Sequence, residues 1–149
     1  MTIHKIDFKK DETQIIYKDD VDDDINLTTK DKPKADFFTT VQRLIPYAKL
    51  LGYLNEKITE ETAEIKEVTY AFTKEGTTIS ISGKTIKYDF GNRPLNFTTP
   101  LILINQDDIR LNGLSELVQT IDSLAINFIN GDRIKSTDPT LFDKPLVKE

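Results

Sequence analysis

The chain has 149 residues with no cysteine, a single histidine, and 25 acidic against 20 basic side chains, for a formal charge of -5. That length holds one domain with a sizeable core, and the lack of thiols excludes disulfides, thiolate zinc sites and cysteine nucleophiles. No run approaches the roughly 20 apolar residues of a membrane span and MTIHKIDFKK lacks a signal-type apolar segment, so a cytoplasmic protein without a membrane partner is expected.

In chain order, Ile3, Ile6 and Phe8 form one short apolar pattern and Ile15, Ile16 and Tyr17 a second, separated by the polar KKDET. They read as two strands joined by a turn. After the acidic run YKDDVDDD, Ile25 and Leu27 alternate with Asn26 and Thr28, the period of a third strand. From Lys34 to Leu54 the period becomes helical, with Phe37, Val41, Leu44, Ala48 and Leu51 on one stripe. Pro46 removes an internal hydrogen bond there and predicts two helical segments with a bend.

IKEVTYAF places Val68, Tyr70 and Phe72 on one face, and KEGTT then TISIS with Ile79 and Ile81 completes a hairpin. TIKYDF continues the alternation through Ile86, Tyr88 and Phe90, with Gly83 marking a turn or bulge. LILI, within PLNFTTPLILI, reads as a strand buried on both faces. A last helix is expected with Asn112 as its cap, Leu114, Leu117, Ile121, Leu124 and Phe128 as its stripe, and Gly131 as its stop. The expectation is an α+β domain over residues 1–131, a mostly antiparallel sheet with two helices on one face in the order βββ-α-βββ(β)-α, followed by a flexible charged tail over 132–149.

For chemistry, the acidic run is the first candidate. Counted from Asp20, a calcium-loop template places Asp22, Asp24, Asn26 and Thr28 at ligand positions and Asp31 last. Ile25 stands where the template needs glycine, and Asp31 replaces the longer bidentate glutamate, so the run reads as a solvated acidic turn and no metal is expected. Asp20, Asp22 and Asp24 remain candidates as an electrostatic contact surface. His4 has no histidine or cysteine to work with and is expected in solvent; Glu60, Glu61 and Glu64 form no specific acid-base pattern. The glycines are dispersed singly, so no phosphate loop is present, no cofactor is expected and catalysis is disfavoured. Lysines interleaved with acids disfavour direct nucleic-acid binding, though a local basic face stays open. Turns TTPL (Thr98 to Leu101) and FGNRP (Phe90 to Pro94) combine hydroxyls and Arg93 but read as turn chemistry.

Taken in order, DFFTTVQRLIPYAKLLGYL, IKEVTYAFTKEGTTISISGKTI, PLNFTTPLILI, AINFINGDR and a terminal LF resemble a group of small, mostly uncharacterised proteins encoded in the early regions of tailed phages and prophages. The resemblance spans about Lys34 to Phe142. It implies a non-enzymatic accessory protein that binds a host or phage protein, such as an inhibitor of a host defence or replication system, or that captures a signalling nucleotide; self-association is compatible with either. Separately, DPTLF from Asp138 to Phe142 resembles the QL[SD]LF-type peptides that dock on the replicative sliding clamp, with Asp138 where the glutamine stands. Leu141 and Phe142 would fill the clamp pocket; the rival reading folds them back onto the domain.

Overall fold

The computed structural model of the chain describes residues 1–55, 57–85 and 94–136. Strands β1 (Thr2–Phe8), β2 (Thr13–Lys18) and β3 (Asp24–Thr29) form an antiparallel meander. Helices α1 (Ala35–Gln42) and α2 (Ile45–Leu50) follow, then β4 (Ala63–Thr73), β5 (Gly76–Thr85), β6 (Asn96–Thr98) and β7 (Ile102–Leu103), a 3-10 turn at Ile109–Leu111, and α3 (Leu114–Ile129). The seven strands make one antiparallel sheet in the order β3-β2-β1-β4-β5-β6, with β7 also on β5. This is the expected α+β architecture, the first helix being split in two.

Each strand buries one phase of its alternation beneath the helices. Ile6, Phe8, Ile15, Ile65, Val68, Ile79 and Ile81 meet Phe37 and Val41 of α1, Leu44 at the start of α2, and Ile121 and Phe128 of α3 in a single core. In β1 the buried residues Ile3 and Ile6 are three apart because the pairing with β2 shifts register between Ile3 and Lys5. One extra residue in the strand resets which face its side chains take. That residue, His4, is half-buried and not solvated as expected: its ring packs edge-on against Phe72 at 5.3 Å between centroids.

The two segments expected around Pro46 are separate helices. Helix α1 ends at Gln42 and α2 restarts with Pro46 in its first turn, where a missing N–H needs no partner. Gln42 then does something the sequence does not announce. Buried at the end of α1, its carboxamide accepts from the Ile65 N–H (2.6 Å) and donates to the Ile65 carbonyl (3.0 Å). β1 pairs with β4 only as far as Asp7 opposite Glu67, so the side chain of Gln42 continues the ladder where β1 has run out.

The β4–β5 hairpin is as expected, with Val68, Tyr70, Ile79 and Ile81 all buried; Phe72, next to its turn, is instead half exposed. Gly83 sits inside β5, opposite a register shift between Ile65 and Glu67. A β-carbon there would collide with the Glu64 carbonyl and the Phe97 ring, so the glycine permits the close approach of the strands. The expected continuation through Ile86, Tyr88 and Phe90 lies outside the described residues.

Two expectations are corrected. LILI is not buried on both faces: Leu101 is exposed, Ile102 and Ile104 are buried, and only Ile102–Leu103 pair, at the edge of the sheet. Pro100 precedes them and cannot donate to a ladder. Helix α3 is preceded by Gly113 (φ +88), not capped by Asn112, whose carbonyl accepts from the Tyr47 hydroxyl. The buried stripe of α3 runs Leu114, Val118, Ile121, Ala125 and Phe128, with Leu117 and Leu124 on its flanks. Gly131 (φ +109) ends the helix as expected.

Residues 132–136 are fastened to the domain. Ile134 forms an antiparallel bridge with Lys32, the Ser136 N–H donates to Asp31 Oδ1 (2.8 Å), and Arg133 lies over the Phe128 ring. That hydrogen bond, helped by Lys135 and Arg133, holds the Asp31 carboxyl below its ordinary pKa. No helix among the described residues is long and apolar enough to cross a membrane.

Candidate functional site

The acidic run forms the β2–β3 turn. Asp19, outside the expected ligand set, organises it by accepting the N–H groups of Val21 (3.0 Å) and Asp23 (2.9 Å). Asp22 occupies the left-handed region (φ +65) that this turn requires. Asp20 takes the terminal amine at 2.7 Å and Asp24 lies 3.8 Å from Lys18. The turn thus directs Asp20 and Asp24 to different neighbours, and among the described residues no group of three His, Asp or Glu side chains is arranged to hold a metal ion. Asp138, Leu141 and Phe142 lie outside the described residues, as does most of FGNRP. In TTPL, Thr99 is buried and stitches the edge of the sheet: its hydroxyl accepts from Ile81 N–H and its carbonyl from Ser80.

A site that the sequence reading missed opens at one end of the sheet. Lys9 and Lys10 come from the β1–β2 turn, Lys32 and Pro33 from the link into α1, Phe38 from α1, Lys66 from the irregular stretch of β4 and Lys84 from the end of β5. With Asp7, Phe8 and Thr13 they line a cleft of about 580 Å³. Its apolar wall is rigid, because Phe8 packs edge-on against Phe37 (5.3 Å) and against Phe38 (5.5 Å). Two cations are neutralised, Lys66 by Glu64 and Lys9 loosely by Glu12 at 3.8 Å. Lys32 donates to the Lys10 carbonyl (2.7 Å), and among the described residues neither it nor Lys10 nor Lys84 forms an ion pair.

Asp7 sets the acidic counterpart. It belongs to a row crossing the uncovered face of the sheet, in which Thr28, Gln14, Asp7, Glu67, Ser82 and Thr98 stand side by side, one from each of β3, β2, β1, β4, β5 and β6. Burial, and then Glu67 opposite it, push the Asp7 carboxyl above its ordinary pKa despite Lys5 and Lys9. The cleft therefore offers point charges suited to phosphate, an aromatic wall and one carboxylate acceptor.

A second polar cleft of about 270 Å³ lies between β4 and α3. There the Tyr70 hydroxyl donates to Asp122 Oδ1 at 2.6 Å. Burial, then the charge of Asp122, raises Tyr70 well above its usual pKa; burial raises Asp122, only partly offset by the Tyr70 hydrogen bond. The pair ties sheet to helix.

The lysines were hidden because they are scattered over 76 positions of sequence among acids, from Lys9 to Lys84. Only the adjacency of β1, β4 and β5 assembles them. The one available signal was the polar phase of those strands, Asp7 on one, just before Lys9, and Lys84 on another, once the pairing is drawn. Compared with known proteins, the chain matches no family model, no curated protein and no solved structure.

Proposed function

We propose that the chain is a non-enzymatic binding protein acting in the cytoplasm of a bacterial host, and that its ligand is a small phosphate-bearing molecule of the nucleotide class, held in the lysine-lined cleft. The observation that carries this reading is the convergence of Lys9, Lys10, Lys32, Lys66 and Lys84 beside Phe8 and Phe38 in one cleft. Its volume falls in the range of small-ligand sites, roughly 300–1,000 Å³. Lysine supplies charge for phosphate, an aromatic face supports a base, and Asp7 accepts from an N–H or O–H of the ligand. The resemblance to early phage proteins supports the same direction, since capturing a signalling nucleotide is one way in which such proteins act.

Calorimetry against a panel of linear and cyclic nucleotides tests it. A bound nucleotide whose affinity falls in Lys84→Gln and Lys10→Gln, and falls with added salt, is the expected result. Silence across the panel at millimolar ligand and low salt overturns it.

Binding of a host protein is favoured by a different observation. Leu50 of α2, Tyr53 just beyond its end and Ile109 of the 3-10 turn are 55%, 41% and 90% exposed, and Arg110 joins the two elements by donating to the Leu50 carbonyl. Exposed apolar side chains gathered in this way suit a protein contact. Capture of one host protein that is lost in Leu50→Asp and Ile109→Asp supports that reading, and capture unchanged by both removes it. The clamp reading rests on Leu141 and Phe142; replacing both by alanine and finding clamp affinity unchanged eliminates it.

A further inference from the structure

The polar cleft between β4 and α3 contains an unanswered charge. Tyr70, only 7% exposed, donates its hydroxyl to Asp122 Oδ1, and the other carboxylate oxygen of Asp122 accepts no hydrogen bond among the described residues. Nor does a cation bear on it: burial and the Tyr70 hydroxyl are the two influences on its pKa. Met1 borders the cleft, but its amine is taken by Asp20 at 2.7 Å. Around the carboxylate stand polar side chains that make no hydrogen bond among the described residues, Thr77 of β5, Asn105 before the 3-10 turn, and Ser115 and Gln119 of α3. Ser115, Gln119 and Asp122 follow one another by four and three residues, so successive turns of α3 bring them to one side of the helix.

We propose that this cleft binds a small primary ammonium compound, its ammonium group against the free oxygen of Asp122 and beside the side-chain oxygens of Ser115 and Gln119. One carboxylate and two neutral acceptors match the three N–H donors of an ammonium. A carboxylate withdrawn from water without a cation is the costly case, and an ammonium beside it forms a charge-assisted hydrogen bond, stronger than one between neutral groups. Phe72, half exposed among the lining residues, adds an aromatic ring of the kind that attracts cations. At about 270 Å³ the cleft falls just below the roughly 300–1,000 Å³ of sites for larger ligands, which keeps the compound to a few heavy atoms. Thr77 and Asn105 are left to bind a hydroxyl, so a short amino alcohol fits. No residue of this cleft also lines the lysine cleft, and the two fill independently.

Ethanolamine is the probe, titrated into the full chain at fixed pH and ionic strength, with ethylene glycol, in which a hydroxyl replaces the ammonium, as its neutral twin. The amide resonances of Tyr70, Ser115 and Gln119 are expected to shift saturably with ethanolamine and to ignore ethylene glycol. Asp122→Asn keeps an acceptor for the Tyr70 hydroxyl and removes the charge, and should weaken ethanolamine about tenfold or more, the loss of one charge-assisted hydrogen bond. Gln119→Ala, at an exposed position where folding is not at stake, should weaken it by a smaller factor, and Lys84→Gln should leave it unchanged. Shifts that do not saturate, that ethylene glycol reproduces, or that survive Asp122→Asn overturn the proposal and leave the Tyr70–Asp122 bond as a tie between sheet and helix alone.

Discussion

Gln42 offers the sharpest test of how the fold is held. Replacing it with alanine removes both partners of the Ile65 peptide group, whose N–H and carbonyl are bound at 2.6 and 3.0 Å by one carboxamide. Gln42 is 6% exposed and Ile65 fully buried, so water has little access to either group. Each buried backbone group left unsatisfied costs about 1–3 kcal/mol, and with partial relaxation the expected loss is about 3 kcal/mol. For a domain of this size 1 kcal/mol moves Tm by roughly 2–4 °C, so Gln42→Ala should melt about 6–12 °C lower. Urea unfolding followed by circular dichroism measures it. Gln42→Glu supplies the discriminating control: it keeps the acceptor for Ile65 N–H but points an oxygen at the Ile65 carbonyl. Burial there raises the folded-state pKa of the new carboxyl, so its penalty is full near neutral pH and fades as pH falls through that raised value. A Gln42→Ala protein within about 0.5 kcal/mol of wild type, inside the scatter expected of surface substitutions, would show that the bridge to Ile65 is not what holds α1 to β4.

Three further outcomes are expected. Gly83→Ala should destabilise by several kcal/mol or prevent folding, because the Glu64 backbone must move; a thermal scan indistinguishable from wild type would contradict the close approach. Asp7→Asn should raise Tm near neutral pH: the folded-state pKa of Asp7 is raised, so its ionised form costs stability at high pH, and the advantage of asparagine should vanish below the carboxylate range. Unchanged Tm across that range would refute the assignment. Tyr70→Phe leaves Asp122 half-buried without its donor and should cost about 1.5–3 kcal/mol near neutral pH, less as Asp122 protonates; a loss independent of pH in denaturant titrations would point to packing alone.

The parts of the fold legible in sequence are those where a period of two or 3.6 meets side chains of unambiguous size. Ile79 and Ile81 opposite Tyr70 and Val68, Phe37 and Val41 on α1, and Leu44 at the start of α2 are buried as their spacing implies. In α3 two stripes share Leu114, Ile121 and Phe128; counting large residues selects Leu117 and Leu124, whereas packing placed the smaller Val118 and Ala125 inward. Bulges are invisible to periodicity, which is why His4 changed environment and why the reach of Gln42 to Ile65 was not foreseen. The cleft was illegible for a related reason. Its charge is a property of neighbouring strands, and Lys9, Lys66 and Lys84 become neighbours only once β1 lies beside β4 and β4 beside β5.

That order of strands also sets how the molecule comes apart. The sheet is two local meanders, β1 to β3 and β4 to β7, sewn together by three residue pairs between β1 and β4: Lys5 with Thr69, Ile6 with Val68, and Asp7 with Glu67. Pairs so distant in sequence close late in folding and form a natural parting line for partial opening. Lys9, Lys10 and Lys32 stand on one side of that line and Lys66 and Lys84 on the other. An anion gripped between them would act as a clasp, and amide exchange along the β1–β4 junction should slow when the cleft is filled.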